Sequence, residues 1–356
     1  MTTKFHDYRG VIHLHSINSY DGTTPVKEIL EAADKNEIDF VMLTDHSNLE
    51  AKTMEGWQAR VLFIVGQEIS PRFNHYIAFG CNNPIVVGEE SDEKPQAYID
   101  EVVRQGGIGF IAHPDHGGTK MFHVKHYPWT EWQVSGYVGM GIWDFMTDWQ
   151  SSLDRVPGAV LNYLFPAYVL RGPRKKTLKR WDELNRGRKI VGIGELDNHN
   201  TLYKIMGRQL HIFPFEKAFK LIGTHILTEE PLESNNNAAI NTVLQALRMG
   251  RAYVSLEYFR TARGFSFVVS DEGNSAIMGD DFVLRKEAVL RVTAPGRSVI
   301  RIIKDGRTFH SGTGCELYMG ISEVGIYRAE VYLKTWRKSR PWIFSNPIYV
   351  RSEEGF

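Results

Sequence analysis

Two imidazoles stand one residue apart in "YRGVIHLHS", residues 8–16, and similar polar residues end most of the apolar runs that follow. "VIHLHS" carries His13 and His15, with Asp21 in the next loop. "FVMLTDHS" ends in Asp45 and His46, "FIVGQEIS" carries Glu68, and "NHYIAFG" begins with His75. "GIGFIAHPDH" ends in His113, and "KIVGIGELDNHN" in Asp197 and His199. Imidazole and carboxylate without thiolate suit divalent zinc, manganese or iron. One zinc takes about four ligands, so nine candidates exceed one ion and suffice for two or three. Glu68 or Asp197 could bridge. Paired metals hold a hydroxide between them and clamp an oxyanion, which fits a phosphate ester.

Each of these residues has a plainer reading when taken alone. A single histidine near a strand, such as His211, His225 or His310, is ordinarily a satisfied polar residue. Asp45-His46 could cap a helix starting at "SNLEAK", and Glu68 could pair with an arginine. The plain account must cover all the strand ends at once, including the two pairs 13/15 and 197/199. His116, His123 and His126 follow His113 closely. They could bind substrate or supply a general acid, but a solvated loop is the first reading. The same holds for "RGPRKK", whose Arg171 and Arg174 are candidate phosphate-binding cations or a solvated basic turn. The aromatic stretches "YPWTEW", "GIWDFMTDW" and "LNYLFPAYVL" lie between His113 and Asp197, where they would shape a pocket; they read first as core.

The elements that must position these residues are short apolar strands alternating with helical patterns. In a strand, side chains alternate faces, so His13 and His15 point one way and Ile12 and Leu14 point the other, toward surrounding helices. "TPVKEILEAADKNE" places Val26, Ile29, Leu30 and Ala33 on one helical face. "EKPQAYIDEVVRQGG" and "TLKRWDELNRG" are further helices. Strands alternating with helices imply an α/β fold, and seven or eight units over some 230 residues fit a barrel, whose strands all end at one mouth. His75 precedes its strand and must reach that mouth from the loop after Glu68. The Asn-rich stretch "EEPLESNNNAA", residues 229–239, reads as a linker, and "AAINTVLQALRMGRAY" as a connecting helix. Beyond it come "GFSFVVSD", "AVLRVTAP", "SVIRIIKDG", "GIYRAEVYL" and "WIFSNPIYVR", separated by turn signals including "DEGN", "APGR" and "KDGR". These predict a small antiparallel β-sandwich. The division expected is a barrel over 1–230, a linker and helix over 231–252, and a β domain over 253–356.

Composition bounds the remaining choices. The chain has 356 residues, 42% hydrophobic and 24% charged, with formal net charge +0. No global field draws it to nucleic acid, and no extended basic-aromatic stripe suits long nucleic acids. Cys81 and Cys315 cannot make a disulfide framework. No apolar signal region or run of about 18 apolar residues occurs, so a cytoplasmic protein without a membrane partner is expected. A homo-oligomer is left open.

"HLHS", "TDHS", "GQEIS", "AHP" and the D-x-H of "ELDNH", in this order and spacing, resemble the motifs of the PHP (polymerase and histidinol phosphatase) superfamily. With its β tail, the chain is similar to the carbaryl-hydrolase-like branch. The resemblance implies a distorted seven-stranded β/α barrel with a trinuclear centre. The first metal would take His13, His15, Glu68 and Asp197; the second would share Glu68 and take His75 and His113; the third would take Asp21, His46 and His199. Asn198 stands where the family usually has a small residue. The implied reaction is hydrolysis of a small phosphate ester by a metal-bridging hydroxide, with Asp45 orienting a ligand and a metal-bound water or His116 protonating the leaving group. Two other readings stand beside it: a carboxyl- or carbamate-ester hydrolase using the same centre, and a non-catalytic metal-binding module.

Overall fold

The computed structural model describes residues 5–89, 91–119, 124–153, 156–205, 208–335 and 339–353; His123 lies outside them. Seven of the described strands form the ring of the α/β part: β1 (His6–Ile12), β2 (Phe40–His46), β3 (Val61–Ile69), β4 (Tyr76–Phe79), β5 (Ile108–Ile111), β6 (Gly139–Asp144) and β7 (Val191–Glu195), with short strands at Gly56–Gln58, Leu202–Ile205 and Arg208–His211 beside them. Period-two alternation sorts their apolar side chains into two layers. Phe40, Met42, Leu62, Ile64, Phe110 and Ile193 form an inner cluster. Val41, Leu43, Phe63 and Val65 join an outer one with the helices. Helix α1 (Val26–Lys35) crosses over from β1 to β2 with Val26, Ile29, Leu30 and Ala33 buried. Helices α2 (Pro95–Arg104), α3 (Phe145–Gln150), α4 (Val156–Leu164), α5 (Lys175–Asn185), α6 (Phe215–Ala218) and α7 (Asn236–Met249) follow.

The pairings β1–β2, β2–β3, β5–β6 and β6–β7 are parallel. Strand β4 is antiparallel to both its neighbours, β3 and β5. Its connection from β3 is too short for a crossover, which takes a dozen or more residues, so the chain folds straight back. The ring closes through an edge of β1 that splits. His6 to Gly10 pair antiparallel with β8 (Ile222–Thr228). Further on, Leu196 N donates to Ile12 O (3.0 Å), His15 N donates to Asn198 O (3.1 Å), and Leu14 bridges Asn198 in parallel.

The segment expected to be a linker and connecting helix is a core element. In α7, Ala239, Val243, Ala246 and Leu247 belong to the inner cluster, beside residues from the starts of the strands. The Asn235 side chain caps its first turn, and Gly250, at φ 77°, ends it. That conformation favours glycine.

Strand β9 (Ala252–Leu256) pairs with β8 on one side and with β14 (Ser339–Ser345) on the other. The C-terminal strands β10 (Ser266–Ser270), β11 (Ala288–Lys304), β12 (Arg307–Ile321), β13 (Gly325–Lys334), β14 and β15 (Ile348–Arg351) are therefore hydrogen-bonded to the barrel ladder. They share an apolar cluster around Phe267, Leu290, Ile300, Val331 and Trp342. The Asp305-Gly306 turn, with φ 50° and 82°, joins β11 to β12 as the sequence predicts. "APGR" is not a turn: it lies inside β11, whose pairing with β12 slips between Thr293 and Ser298. The break in "WIFSNPIYVR" falls at Asn346-Pro347, between β14 and β15.

Candidate metal centre

Alternation alone aims two ligands. Phe40, Met42, Thr44 and His46 share one face of β2, and Leu62, Ile64, Gly66 and Glu68 share one face of β3. At β1 the rule breaks. The strand stops at Ile12, and His13 has φ 70°. This left-handed step puts consecutive residues on the same side, so Ile12 lies in the inner cluster while Leu14 alone joins the helix layer. The expectation that Ile12 and Leu14 face the helices together holds for Leu14 only. His13 and His15 still meet, with ring centroids 5.2 Å apart. His113 (φ 27°) and Asp197 (φ 49°) are also left-handed, a conformation that costs a non-glycine residue. His75 sits at the mouth because β4 runs backwards and begins there.

The nine side chains fall into three overlapping groups: His13, His15, Glu68 and Asp197; Glu68, His75 and His113; and His15, Asp21, His46 and His199. In the first, Glu68 Oε2 is 3.3 Å from His13 Nε2 and 3.4 Å from His15 Nε2, and Asp197 Oδ1 is 3.5 and 3.6 Å from the same atoms. Tetrahedral bonds of about 2.0–2.2 Å separate neighbouring ligand atoms by roughly 3.3–3.6 Å. His13 Nε2 and His15 Nε2 are buried without a hydrogen-bond partner. Buried nitrogens left so, with that spacing to two carboxylates, fit a divalent cation. Glu68 Oε1 faces the second group, 2.8 Å from His75 Nδ1 and 3.2 Å from His113 Nε2. One carboxylate thus offers an oxygen to each group. In the third, Asp21 Oδ2 is 3.1 Å from both His46 Nε2 and His199 Nε2.

A surrounding layer holds these ligands. Glu195 Oε1 takes His13 Nδ1 at 3.1 Å, and its Oε2 accepts from His113 N at 2.9 Å. A methyl at Gly141 would overlap that carboxylate, so the glycine makes its room. Ser19 Oγ contacts His15 Nδ1 and donates to Asp21, and Ser70 Oγ contacts His46 Nδ1. The sequence reading missed Glu195, although it shares the inward parity of Val191 and Ile193 on β7. Asp45 lies on the opposite face of β2 from His46. It accepts from Ser16 N and Ser16 Oγ, both at 2.6 Å, and so fixes the turn after His15 rather than a ligand ring. Asn198 turns away from the centre and donates to Phe213 O.

Electrostatics favour anionic ligands. Burial pushes the Glu68 carboxyl up, but the imidazoles of His13, His75 and His46 outweigh it and hold it well below the usual range. Asp197 is likewise depressed by His13, His15 and His199 against its burial.

A cavity of about 730 Å³ opens onto the centre. His116 lines it, buried rather than solvated, with Nδ1 accepting from Tyr127 N. Burial and the neighbouring His113 push His116 down to about 3, so it is neutral near pH 7. His126 is exposed. Arg171 and Arg174 are absent from the described lining; Arg174 donates to Asp115 O at 2.6 Å, and Arg171 N donates to Asp148. Trp129, Trp143, Phe145 and Trp149 are core, and of these Trp149 also lines the cavity, together with the half-buried Tyr163.

No protein-family model and no curated protein matches the chain. Among solved structures, it is similar to a protein from Bifidobacterium adolescentis provisionally assigned as a metal-dependent phosphoesterase, at 14% identity and TM-score 0.35, over 56% of this chain and 88% of that one. It is also similar to an amidohydrolase from Chromobacterium violaceum carrying bound sulfate and no metal, at 14% identity and TM-score 0.32, over 58% and 92%. Likenesses this distant carry no functional argument, which rests on the site itself.

Proposed function

We propose that the chain is a metal-dependent phosphoesterase of PHP type, in the carbaryl-hydrolase-like branch, acting on a small phosphate ester at a trinuclear centre. The observation that supports this best is the Glu68 carboxylate, with one oxygen among His13, His15 and His46 and the other between His75 and His113. His13, His15, Glu68 and Asp197 would hold one ion, Glu68, His75 and His113 a second, and Asp21, His46 and His199 a third. Bound divalent ions supply an acidified water and neutralise charge on the ester oxygens. The chain's own part is to fix the donors: Glu195 holds His13, and Ser19 spans His15 and Asp21. The proposed organisation keeps a barrel over 1–230 and a β-sandwich from 253, with α7 between them.

A carboxyl- or carbamate-ester hydrolase is the second reading. The scarcity of fixed cations in the cavity favours it: besides its histidines, the described lining holds one arginine, Arg72, and one lysine, Lys125. Metal analysis followed by parallel assays on nitrophenyl phosphate and nitrophenyl acetate, with zinc or manganese supplied, separates the readings. We expect two or three ions per chain and phosphate release. His13→Ala and Glu68→Ala should each lower kcat/KM about a thousandfold, roughly 4 kcal/mol of transition-state stabilisation. Unchanged rates in both variants would overturn the hydrolase reading. Turnover of the acetate alone would select the second.

A further inference from the structure

The wall facing the metal ligands has a character of its own. Met146 and Trp149 come from α3, Leu153 follows it, Val160 and Tyr163 come from α4, and Ile212 completes the surface. The polar atoms of its two large aromatics are already engaged. Trp149 Nε1 donates to Asn162 O at 3.0 Å, and Tyr163 Oη donates to His211 O at 2.7 Å. Both offer the cavity only ring surface. Phe213 packs its ring edge-on against Trp149 at 4.7 Å and fixes that orientation. The apolar surface continues outward along and just beyond α4, where Leu161, Leu164 and Phe165 are 59%, 57% and 50% exposed.

Gln150, also from α3, lines the cavity with its buried Oε1 unpartnered and could meet one hydroxyl. The other hydroxyls of a sugar or nucleoside placed against this wall would be left unpaired, at a cost of about 1–3 kcal/mol each. An alkyl or aryl group would instead gain roughly 25 cal/mol for each Å² removed from water. We infer that the substrate is an ester of a bulky apolar alcohol, its ester group at the metal centre and its alcohol portion against Met146, Trp149, Leu153, Val160, Tyr163 and Ile212. This rests on the hydrolase reading above and adds the class of alcohol to it.

Calorimetric titration of the metal-loaded protein with ethyl, butyl, hexyl and octyl phosphate, and with glucose 6-phosphate, tests the inference. Kd should fall about two- to fourfold per methylene until the cavity is filled. Glucose 6-phosphate should bind no tighter than ethyl phosphate. Trp149→Ala should flatten the chain-length dependence, and Trp149→Phe should restore it. If Trp149→Ala loses its fold or its metal, Val160→Ser, at a 60% exposed position, provides the same comparison. A flat series in the unaltered protein, or tighter binding of glucose 6-phosphate, overturns the inference. Phosphate release is followed separately, with octyl acetate in parallel. Release across a flat series keeps the phosphoesterase reading and rejects the apolar alcohol. A steep series with cleavage of octyl acetate alone does the reverse.

Discussion

Glu195 is fully buried, has no place among the nine donors, and still touches two of the residues that carry them. A carboxylate on the far nitrogen of a ligating histidine fixes its tautomer and ring plane, and losing it typically weakens metal binding ten- to a hundredfold. Glu195→Ala should show that loss in a chelator-competition titration, with its circular dichroism unchanged. Glu195→Gln should fall between it and the wild type, because one oxygen remains to accept. The donors themselves were legible in the sequence because they sit at strand ends, where position along the chain gives position in the barrel. Glu195 was harder to see. It too ends a strand, β7, but Asp197 and His199 follow it at once as a ligand-like pair, and beside them a lone carboxylate reads as half of an ion pair. Ser19 and Ser70 left no signal, since a serine in a polar loop resembles any other.

Gly141 belongs to β6, yet its importance is to β7. Its missing side chain leaves the space that the Glu195 carboxylate occupies. Gly141→Ala should therefore reproduce the weakened metal binding of Glu195→Ala, with an added overpacking cost of about 1–3 kcal/mol in urea denaturation. If the glycine served only backbone freedom, stability would change and metal affinity would not. The same scale shows where element reading stops. Apolar runs marked the barrel strands, and the 26/29/30/33 spacing marked α1. Strand direction was not encoded in the runs, so β4 looked like its neighbours until the length of its connection was weighed. "APGR" carries turn residues, but the ladders on both sides of β11 outweigh that local preference. Strand β12 went unread because its alternating inner positions are mostly half-buried and begin with His310, Gly312 and Gly314, which give no apolar signal.

Across the whole molecule, the barrel and the C-terminal strands meet at a buried ionic network. His225 Nδ1 is 2.7 Å from Asp7 Oδ1 and its Nε2 is 3.2 Å from Glu257 Oε1; Tyr253 Oη donates to Asp7 Oδ2. The sequence marked His225 as a satisfied polar residue, and its satisfaction turns out to span three strands and the loop after β9. Burial pushes His225 down, but Asp7 and Glu257 outweigh it, and its pKa is raised above 6.5. Burial pushes Glu257 up, but His225 outweighs it, and its pKa is lowered from 4.5 to about 2. The histidine's contribution is complete below pH 6.5 and fades as pH climbs through its raised value. The carboxylate's is complete above pH 4.5 and fades as pH falls toward 2. His225→Phe would remove the cation shared by two buried carboxylates, leaving Glu257 with Arg9 at 3.9 Å and Asp7 with the Tyr253 hydroxyl, a loss of about 3 kcal/mol. The stability difference from wild type in urea should be greatest between pH 4.5 and 6.5 and shrink on either side.

The split edge of β1 sets an order of events. His13 and its partner Glu195 are separated by 182 positions, and the same strand must also receive β8 from later still. Contacts so distant along the chain form late, because closing a long loop costs entropy before any contact repays it. A chain leaving the ribosome can complete β1, β2 and β3, with His46 and Glu68 in place, while its first two imidazoles still lack a closed ring to hold them. Metal capture then waits for β7 and the Asp197–His199 segment, and cannot template the early strands. Nascent fragments that stop short of residue 191 lack β7, Asp197 and His199, and would bind no ion tightly.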